Sequence, residues 1–146
     1  MGRRHRAREI ALELLYQIDM TGEAPAEALA AYLGPRRLPK ELARFAEELV
    51  RGAWKNREEI DKLVGDSADH WKVERMPAVD RNLLRLATYE LIHSTEAPPA
   101  VVIDEALELA KRYCDVGSTA FVNGVLDHVR RQLAAASQGP GSDDDR

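Results

Sequence analysis

Apolar residues recur every three or four positions through most of this chain, the spacing that puts them on one face of an α-helix. The first such stretch covers residues 3–20, and its predicted inner face holds Ala7, Ile10, Ala11, Leu14, Leu15 and Ile18. Comparable stretches begin at Pro25, at Pro39, at Pro77, near Val102 and near Ser118. No segment shows the alternation typical of a strand. The pattern therefore predicts an all-α fold of six to seven helices.

Glycine, proline and polar residues predict where the helices end. Gly22 ends the first helix, and Asn56 interrupts the long third stretch, so a bend or break is expected there. A polar segment over residues 66–76 divides the helices into three and three, which predicts two packed three-helix bundles within a domain of residues 1–136. Residues 137–146, SQGPGSDDDR, have the composition of a disordered acidic tail.

Composition and absent motifs narrow the class of protein. The 146 residues suffice for one domain with a real core, and the single cysteine, Cys114, excludes an internal disulfide. No apolar run reaches the roughly 20 residues of a membrane-spanning helix, so we expect a soluble cytoplasmic protein. The chain has neither a glycine-rich phosphate loop nor an HExxH motif, and its four histidines are scattered. The sequence thus predicts no enzyme, no metal and no cofactor.

The densest positive charge opens the chain, although the formal net charge is −4. The segment GRRHRARE contains Arg3, Arg4, Arg6 and Arg8. Cations at a helix N-terminus oppose the helix dipole, so they do not stabilise the helix, whereas guanidinium groups bind phosphates well. The predicted outer face of the same helix carries His5, Glu9, Leu12 and Tyr16. A basic arm with an exposed ring is typical of binding to single-stranded nucleic acid; a solvated arm is the alternative.

Three later residues depart from their helical patterns. Phe121 lies beside the apolar stripe of the last helix, where it either fills a seam of the core or stacks on a base. Gly124, in the same helix, is expected to let another helix approach. Glu90 falls at the centre of an apolar face, so its carboxylate needs a partner. The unpaired amides at the start of the next helix are the predicted partner.

Four segments together resemble the NusB family of bacterial transcription antitermination factors. They are RRHRAREIALELLYQID, MPAVDRNLLRLATYEL, PPAVVIDEALELAKRYC and FVNGVLD, and they follow the family's order across residues 3–130. The resemblance implies an all-helical fold of two three-helix bundles. It also implies binding to the boxA element of nascent ribosomal-RNA transcripts together with the ribosomal protein NusE, in an antitermination complex on RNA polymerase.

The resemblance also implies site residues. The family's RNA surface corresponds here to Arg3, Arg4, Arg6, Arg8, Tyr16 and Phe121, and His5, which interrupts the basic arm, is counted with them. The acidic residue that opens the Asp-Arg helix belongs to the family's ribosomal-protein surface, and here it is Asp80. Residues 117–120 lack the charge that some members carry before the phenylalanine, so weaker RNA binding is expected along that edge.

Two other functions stay open at this point. RNA cytosine methyltransferases carry a NusB-like N-terminal domain, but their catalysis needs a large α/β unit that residues 1–146 do not contain. Some family members self-associate, so a homodimeric interaction module is the second alternative. Gel filtration with and without boxA RNA would separate a dimer from an RNA-binding protein.

Overall fold

The computed structural model describes residues 2–69, 71–93 and 97–137. Within these ranges there are seven α-helices, one short 3-10 helix and no strand. They are α1 (Arg3–Thr21), α2 (Pro25–Leu33), α3 (Lys40–Lys55), α4 (Arg57–Ser67), the 3-10 helix (Val73–Arg75), α5 (Ala78–His93), α6 (Pro99–Tyr113) and α7 (Ser118–Ser137). The all-α prediction is confirmed. Of the predicted acidic tail, Ser137 belongs to α7, and the rest lies outside the described residues.

The helices begin and end at the glycine, proline and polar residues noted in the sequence. Gly22 ends α1 in the left-handed region, at φ 76°, where its N–H donates to the Ile18 carbonyl oxygen at 2.9 Å. Proline fits the first turn of a helix, and it stands there in α2 and α6. Asn56 separates α3 from α4, and its side-chain amide donates to the Gly52 carbonyl oxygen at 2.8 Å. The break predicted at Asn56 is thus confirmed.

The helices form two units that α5 joins. Helices α1, α2 and α3 pack on one another, whereas α4, α6 and α7 all pack on α5. Helix α5 also packs on α1 and α3 of the first unit. The boundary between the units lies at Asn56 rather than in the polar segment 66–76, because α4 packs on α5 and α7 through buried residues such as Ile60 and Val64.

Helix α1 is covered on more sides than its sequence suggests. All six residues of its predicted inner face are buried, as expected. Two residues predicted to face outward are buried as well, since Glu9 is 4% exposed and Leu12 is 2% exposed. The prediction was wrong for both. Helices α3 and α5 pack on α1, and the side chains of Arg112 and Tyr113 on α6 reach the Glu9 carboxylate.

A network of ion pairs fastens the C-terminal end of α1 to α4 and α5. Asp19 accepts hydrogen bonds from Arg81 Nε at 2.8 Å and from Arg85 Nη1 at 3.2 Å. Arg85 also binds both carboxylate oxygens of Asp61 on α4, each at 2.8 Å. Partial burial alone would raise the pKa of Asp19, but the hydrogen bonds from Asn82 and Arg81 and the charge of Arg85 lower it. Asp19 is therefore held in its charged form.

Candidate nucleic-acid interface

The basic arm predicted at the start of the chain forms the first two turns of α1, and its side chains spread in different directions. The Arg4 guanidinium carbon lies 4.4 Å from the centre of the Phe45 ring on α3. Arg6 donates to the Tyr32 hydroxyl of α2 at 3.3 Å. His5 Nδ1 lies 2.7 Å from Glu105 Oε1 on α6. Arg3, Arg4 and Arg6 are exposed and His5 is half-buried, so the arm offers three accessible guanidinium groups.

Arg8 differs from the other arginines because it is buried. It is 4% exposed, and it donates from Nε and Nη2 to the two carboxylate oxygens of Glu90, at 2.7 and 2.8 Å. Burial opposes the charge of Arg8, but the hydrogen bonds and charge of Glu90, with the charge of Glu105, outweigh it and raise the pKa of Arg8. A guanidinium held in this way is not available to a phosphate, so the phosphate contact predicted for Arg8 does not fit the structure.

The same contact corrects the partner predicted for Glu90. Its carboxylate is buried, 2% exposed, as the sequence suggested. It is bound by Arg8, however, and not by the first amides of α6. Arg8 and Glu90 lie 82 positions apart, so helical spacing could not have paired them. The pair anchors the basic arm to α5 at the centre of the molecule.

Tyr16 lies on the outer side of α1, as predicted. Its side chain is 40% exposed, and Met20, one turn later, is 57% exposed. Glu13 on the same helix accepts a hydrogen bond from the Tyr113 hydroxyl at 3.1 Å. Partial burial, with Glu13 and Glu9 nearby, raises the pKa of Tyr113 to about 12 and keeps it a donor. Tyr16 therefore offers an accessible ring on a helix held firmly by its neighbours.

Phe121 belongs to a pair of aromatic rings. It is half-buried at the start of α7, and its ring meets that of Trp71 edge-on, with centres 5.4 Å apart and planes at 75°. Trp71 is 47% exposed, and its segment was interpreted from the sequence only as a connector. A tryptophan in a segment assigned no helix was the signal that could have revealed it. The pair leaves much of the Trp71 ring accessible.

One expectation about α7 needs correction. A Cβ atom built on Gly124 would have no neighbour within 4 Å, so Gly124 does not admit another helix as predicted. Helix α7 packs on α4, α5 and α6, whereas α1 packs on α2, α3 and α5. The basic arm and the aromatic pair therefore belong to different units, joined through α5.

Asp80 is the residue that the resemblance assigns to a protein partner, and it lies beneath the surface. It is 4% exposed in the first turn of α5, and its carboxylate is near the Cys114 thiol. Burial and the nearby carboxylates of Asp80 and Asp115 raise the pKa of Cys114 to about 12. Direct contact between the Asp80 carboxylate and another protein does not fit this burial.

The fold and the site together define an all-α protein with exposed arginines at one helix terminus and accessible aromatic rings elsewhere. The NusB family model matches residues 5–131, and the chain belongs to the NusB family. Among the described residues, no group of three or more His, Cys, Asp and Glu side chains could hold a metal ion. None of the helices described has the length and apolarity needed to cross a membrane.

Similar proteins support this membership over nearly the whole chain. The transcription antitermination protein NusB of Symbiobacterium thermophilum is 46% identical over an alignment of 142 positions, and the alignment covers 92% of this chain and 93% of the relative. NusB of T. maritima has a similar structure, with a TM-score of 0.82 at 34% identity, covering 94% of this chain and 96% of that one. A crystal structure of the antitermination factors NusB and NusE in complex with dsRNA matches with a TM-score of 0.79 at 32% identity, covering 90% and 98% of the two chains.

Proposed function

We propose that this chain is a non-enzymatic transcription antitermination factor that binds boxA-type single-stranded RNA together with NusE, in a complex on RNA polymerase in the cytoplasm. The observation that carries the proposal is the basic arm, in which Arg3, Arg4 and Arg6 are exposed while Arg8 anchors the same helix to Glu90. An anchored arm suits phosphate binding, because little side-chain and backbone freedom is lost when RNA binds.

The aromatic residues extend the proposed RNA surface. Tyr16 and the Trp71–Phe121 pair expose rings on which unpaired bases can stack, and stacking of this kind tolerates many base sequences. His5 takes a positioning role in the proposal, because its ring is bound to Glu105. The solved relative that contains NusE and RNA supports both ligands as candidates for this chain.

Asp80 supports the partner surface indirectly in this proposal. Its carboxylate is near Cys114, so it lies where the start of α5 meets the end of α6. We assign the direct contacts with NusE to exposed residues around this junction. The methyltransferase alternative is not favoured, because relatives named as antitermination proteins are matched over more than nine-tenths of their length.

The experiment is a titration of fluorescein-labelled boxA RNA, followed by anisotropy with and without purified NusE. Replacing Arg3, Arg4 and Arg6 together by alanine should weaken binding and flatten its salt dependence by about 0.7 per lost phosphate contact. Gel filtration of the protein alone reports whether it self-associates. A dimer that does not bind the RNA, with or without NusE, would overturn the proposal in favour of a homodimeric interaction module.

The two tryptophans allow an independent readout. Trp54 is half-buried, with the Arg57 guanidinium carbon 4.2 Å from its ring centre, whereas Trp71 is exposed. In a Trp54→Phe variant, RNA binding should quench the remaining Trp71 emission, because a stacked base quenches an indole. Unchanged emission at saturating RNA would show that Trp71 and its neighbour Phe121 do not belong to the RNA-binding surface.

A further inference from the structure

A groove lies between the basic arm and α3. Its volume is about 560 Å³. It is lined by Gly2, Arg3, Arg4, Glu41, Leu42, Arg44, Phe45 and Glu48. Arg3 and Arg4 thus belong both to the arm and to the groove, whereas the residues of α3 were assigned no role by the sequence or the family resemblance.

The floor of the groove is apolar and held in place. Leu42 is buried and Phe45 is half-buried against the core. Arg4 lies 4.4 Å from the centre of the Phe45 ring, and the buried Arg8 lies 5.5 Å from the same centre. Since Arg8 is fixed by Glu90, the Phe45 ring has a rigid neighbour beneath the arm. Flat surfaces of this kind, a guanidinium plane and an aromatic ring, are the ones on which nucleobases stack.

The rim of the groove is charged. Arg3, Arg4 and Arg44 are exposed there, and guanidinium groups bind phosphate oxygens through paired hydrogen bonds. Glu41 and Glu48 are exposed on the same rim, and carboxylates accept hydrogen bonds from the exocyclic amino groups of bases. The rim thus offers cations that can bind a phosphate and carboxylates that can accept hydrogen bonds from a base edge. These are the groups that bind a nucleotide.

Positive charge continues beyond the groove onto the α2–α3 connector. Arg6 donates to the Tyr32 hydroxyl, and the Arg36 guanidinium carbon lies 3.7 Å from the centre of the same ring. Arg36 is therefore held beside the arm, Arg37 is exposed on the same connector, and Lys40 is exposed at the start of α3. A strand of RNA that follows the arm therefore meets further cations beyond the groove.

We propose that this groove holds one unstacked nucleotide of the RNA bound at the arm, with its base against Phe45 and Arg4 and its phosphate at Arg44. The proposal rests on the proposed function. The continuity of the groove with the arm and the three guanidinium groups on its rim favour RNA over a protein segment. Arg44 and Phe45 are then RNA-binding residues that the sequence did not predict.

The test uses the full chain and fluorescein-labelled boxA RNA in an anisotropy titration. Arg44→Ala should weaken binding roughly fivefold or more and reduce the salt slope by about 0.7, the value for one phosphate on a single strand. The matched control is Arg51→Ala, because Arg51 lies two turns further along α3, is exposed, and pairs with Glu47 outside the groove. Arg51→Ala should leave affinity and slope unchanged.

A second variant tests the stacking surface. Phe45→Leu keeps an apolar side chain on the floor but removes the ring, and stacking is worth about 5- to 150-fold in affinity by alanine substitution. We expect at least a fivefold loss in affinity for protein that is fully folded at the assay temperature, as checked by its thermal melt. An unchanged affinity of folded Phe45→Leu would overturn the stacking assignment.

The outcomes separate this proposal from the one on which it rests. If the arm variant loses RNA binding while Arg44→Ala and Phe45→Leu bind like the unmodified chain, the groove is not a nucleotide site and the proposed function stands. If Arg44→Ala alters self-association or NusE binding but not RNA affinity, the groove is a protein surface and the nucleotide assignment is overturned. If the unmodified chain binds no RNA with or without NusE, both proposals fall.

Discussion

At the scale of single residues, the type of a side chain says less about its role than the neighbours it meets. Four arginines open the chain, yet Arg8 binds Glu90 in the interior while Arg3 is exposed on the same helix. A buried ion pair contributes little net stability, but removing one partner leaves the other charge uncompensated. The distinction between Arg8 and its neighbours can therefore be measured as a difference in stability.

Arg8→Ala is expected to lower the free energy of unfolding by about 3–5 kcal/mol, because Glu90 keeps its charge without a partner. Replacing both residues, as Arg8→Met with Glu90→Leu, should recover most of that loss. Arg3→Ala on the exposed side of the arm serves as the control and should change stability by less than about 0.5 kcal/mol. Urea denaturation followed by circular dichroism measures all three, and equal midpoints for Arg8→Ala and Arg3→Ala would refute the anchoring role.

The reactivity of the Cys114 thiol is expected to depend on the Asp80 carboxylate. Burial and the Asp80 carboxylate raise the pKa of the thiol to about 12, so very little thiolate is present at pH 8. Asp80→Asn removes one of these causes, lowers the pKa, and should speed alkylation by iodoacetamide by about threefold for each unit of pKa recovered, because the thiolate fraction rises about tenfold while the nucleophilicity of the thiolate falls. The urea-unfolded chain gives the unprotected rate. An unchanged rate in folded Asp80→Asn would show that the carboxylate does not act on the thiol.

At the scale of helices, two glycines have opposite consequences. A Cβ on Gly52 of α3 would lie 2.2 Å from Cζ and 2.4 Å from Cε1 and the hydroxyl oxygen of Tyr89 on α5. Tyr89 is 9% exposed and has little room to move. Gly124 of α7 has open space instead. The first glycine is required by close packing of two helices, and the second only lowers helix propensity.

Gly52→Ala should destabilise the protein by about 1–3 kcal/mol through overpacking. Gly124→Ala should stabilise it by about 0.5–1 kcal/mol, because alanine favours the helix. Thermal unfolding of the two variants beside the unmodified chain should move the midpoint in opposite directions. Shifts of the same sign would contradict the close contact with Tyr89 or the open space at Gly124.

The helices themselves were largely predictable, because the local spacing of apolar residues and the glycine, proline and polar residues between them determine where helices form and end. Gly22 and Asn56 end helices where the sequence suggested. Burial of Glu9, the pairing of Arg8 with Glu90 and the contact of Trp71 with Phe121 were not predictable, since each depends on residues 50 or more positions away. The α3 side of the groove was missed for the same reason: Arg44 and Phe45 gain significance only when the arm lies beside them.

At the scale of the whole molecule, the Asp19 network joins the two units and makes stability depend on pH. The folded state lowers the pKa of Asp19 below its unfolded value near 3.9. Its stabilisation is therefore fully present above about pH 4 and is lost as the pH falls through the folded pKa. The contribution of Asp19 to the free energy of unfolding therefore changes with pH in the acid range.

Asp19→Asn should lower stability at pH 7 and reduce the loss of stability as the pH falls below about 4, because Asp19 no longer takes up a proton on unfolding. Asp104→Asn, an exposed aspartate on α6, is the control for a simple change of net charge. Urea midpoints at a series of pH values make the comparison. Parallel profiles for the unmodified chain and Asp19→Asn would contradict the lowered pKa.

The position of α5 between the two units has a consequence for how the protein opens. Residues 82–90 of this helix are all buried, and α5 packs on five of the other helices. If either unit separates from α5, apolar surface of the other unit is exposed to water. Local opening of one unit is therefore coupled to unfolding of the whole protein. The amide protons of α5 should exchange with solvent only through global unfolding, with one common free energy of opening. Ligands that hold α1 at one edge should slow that exchange by the same factor along the entire helix.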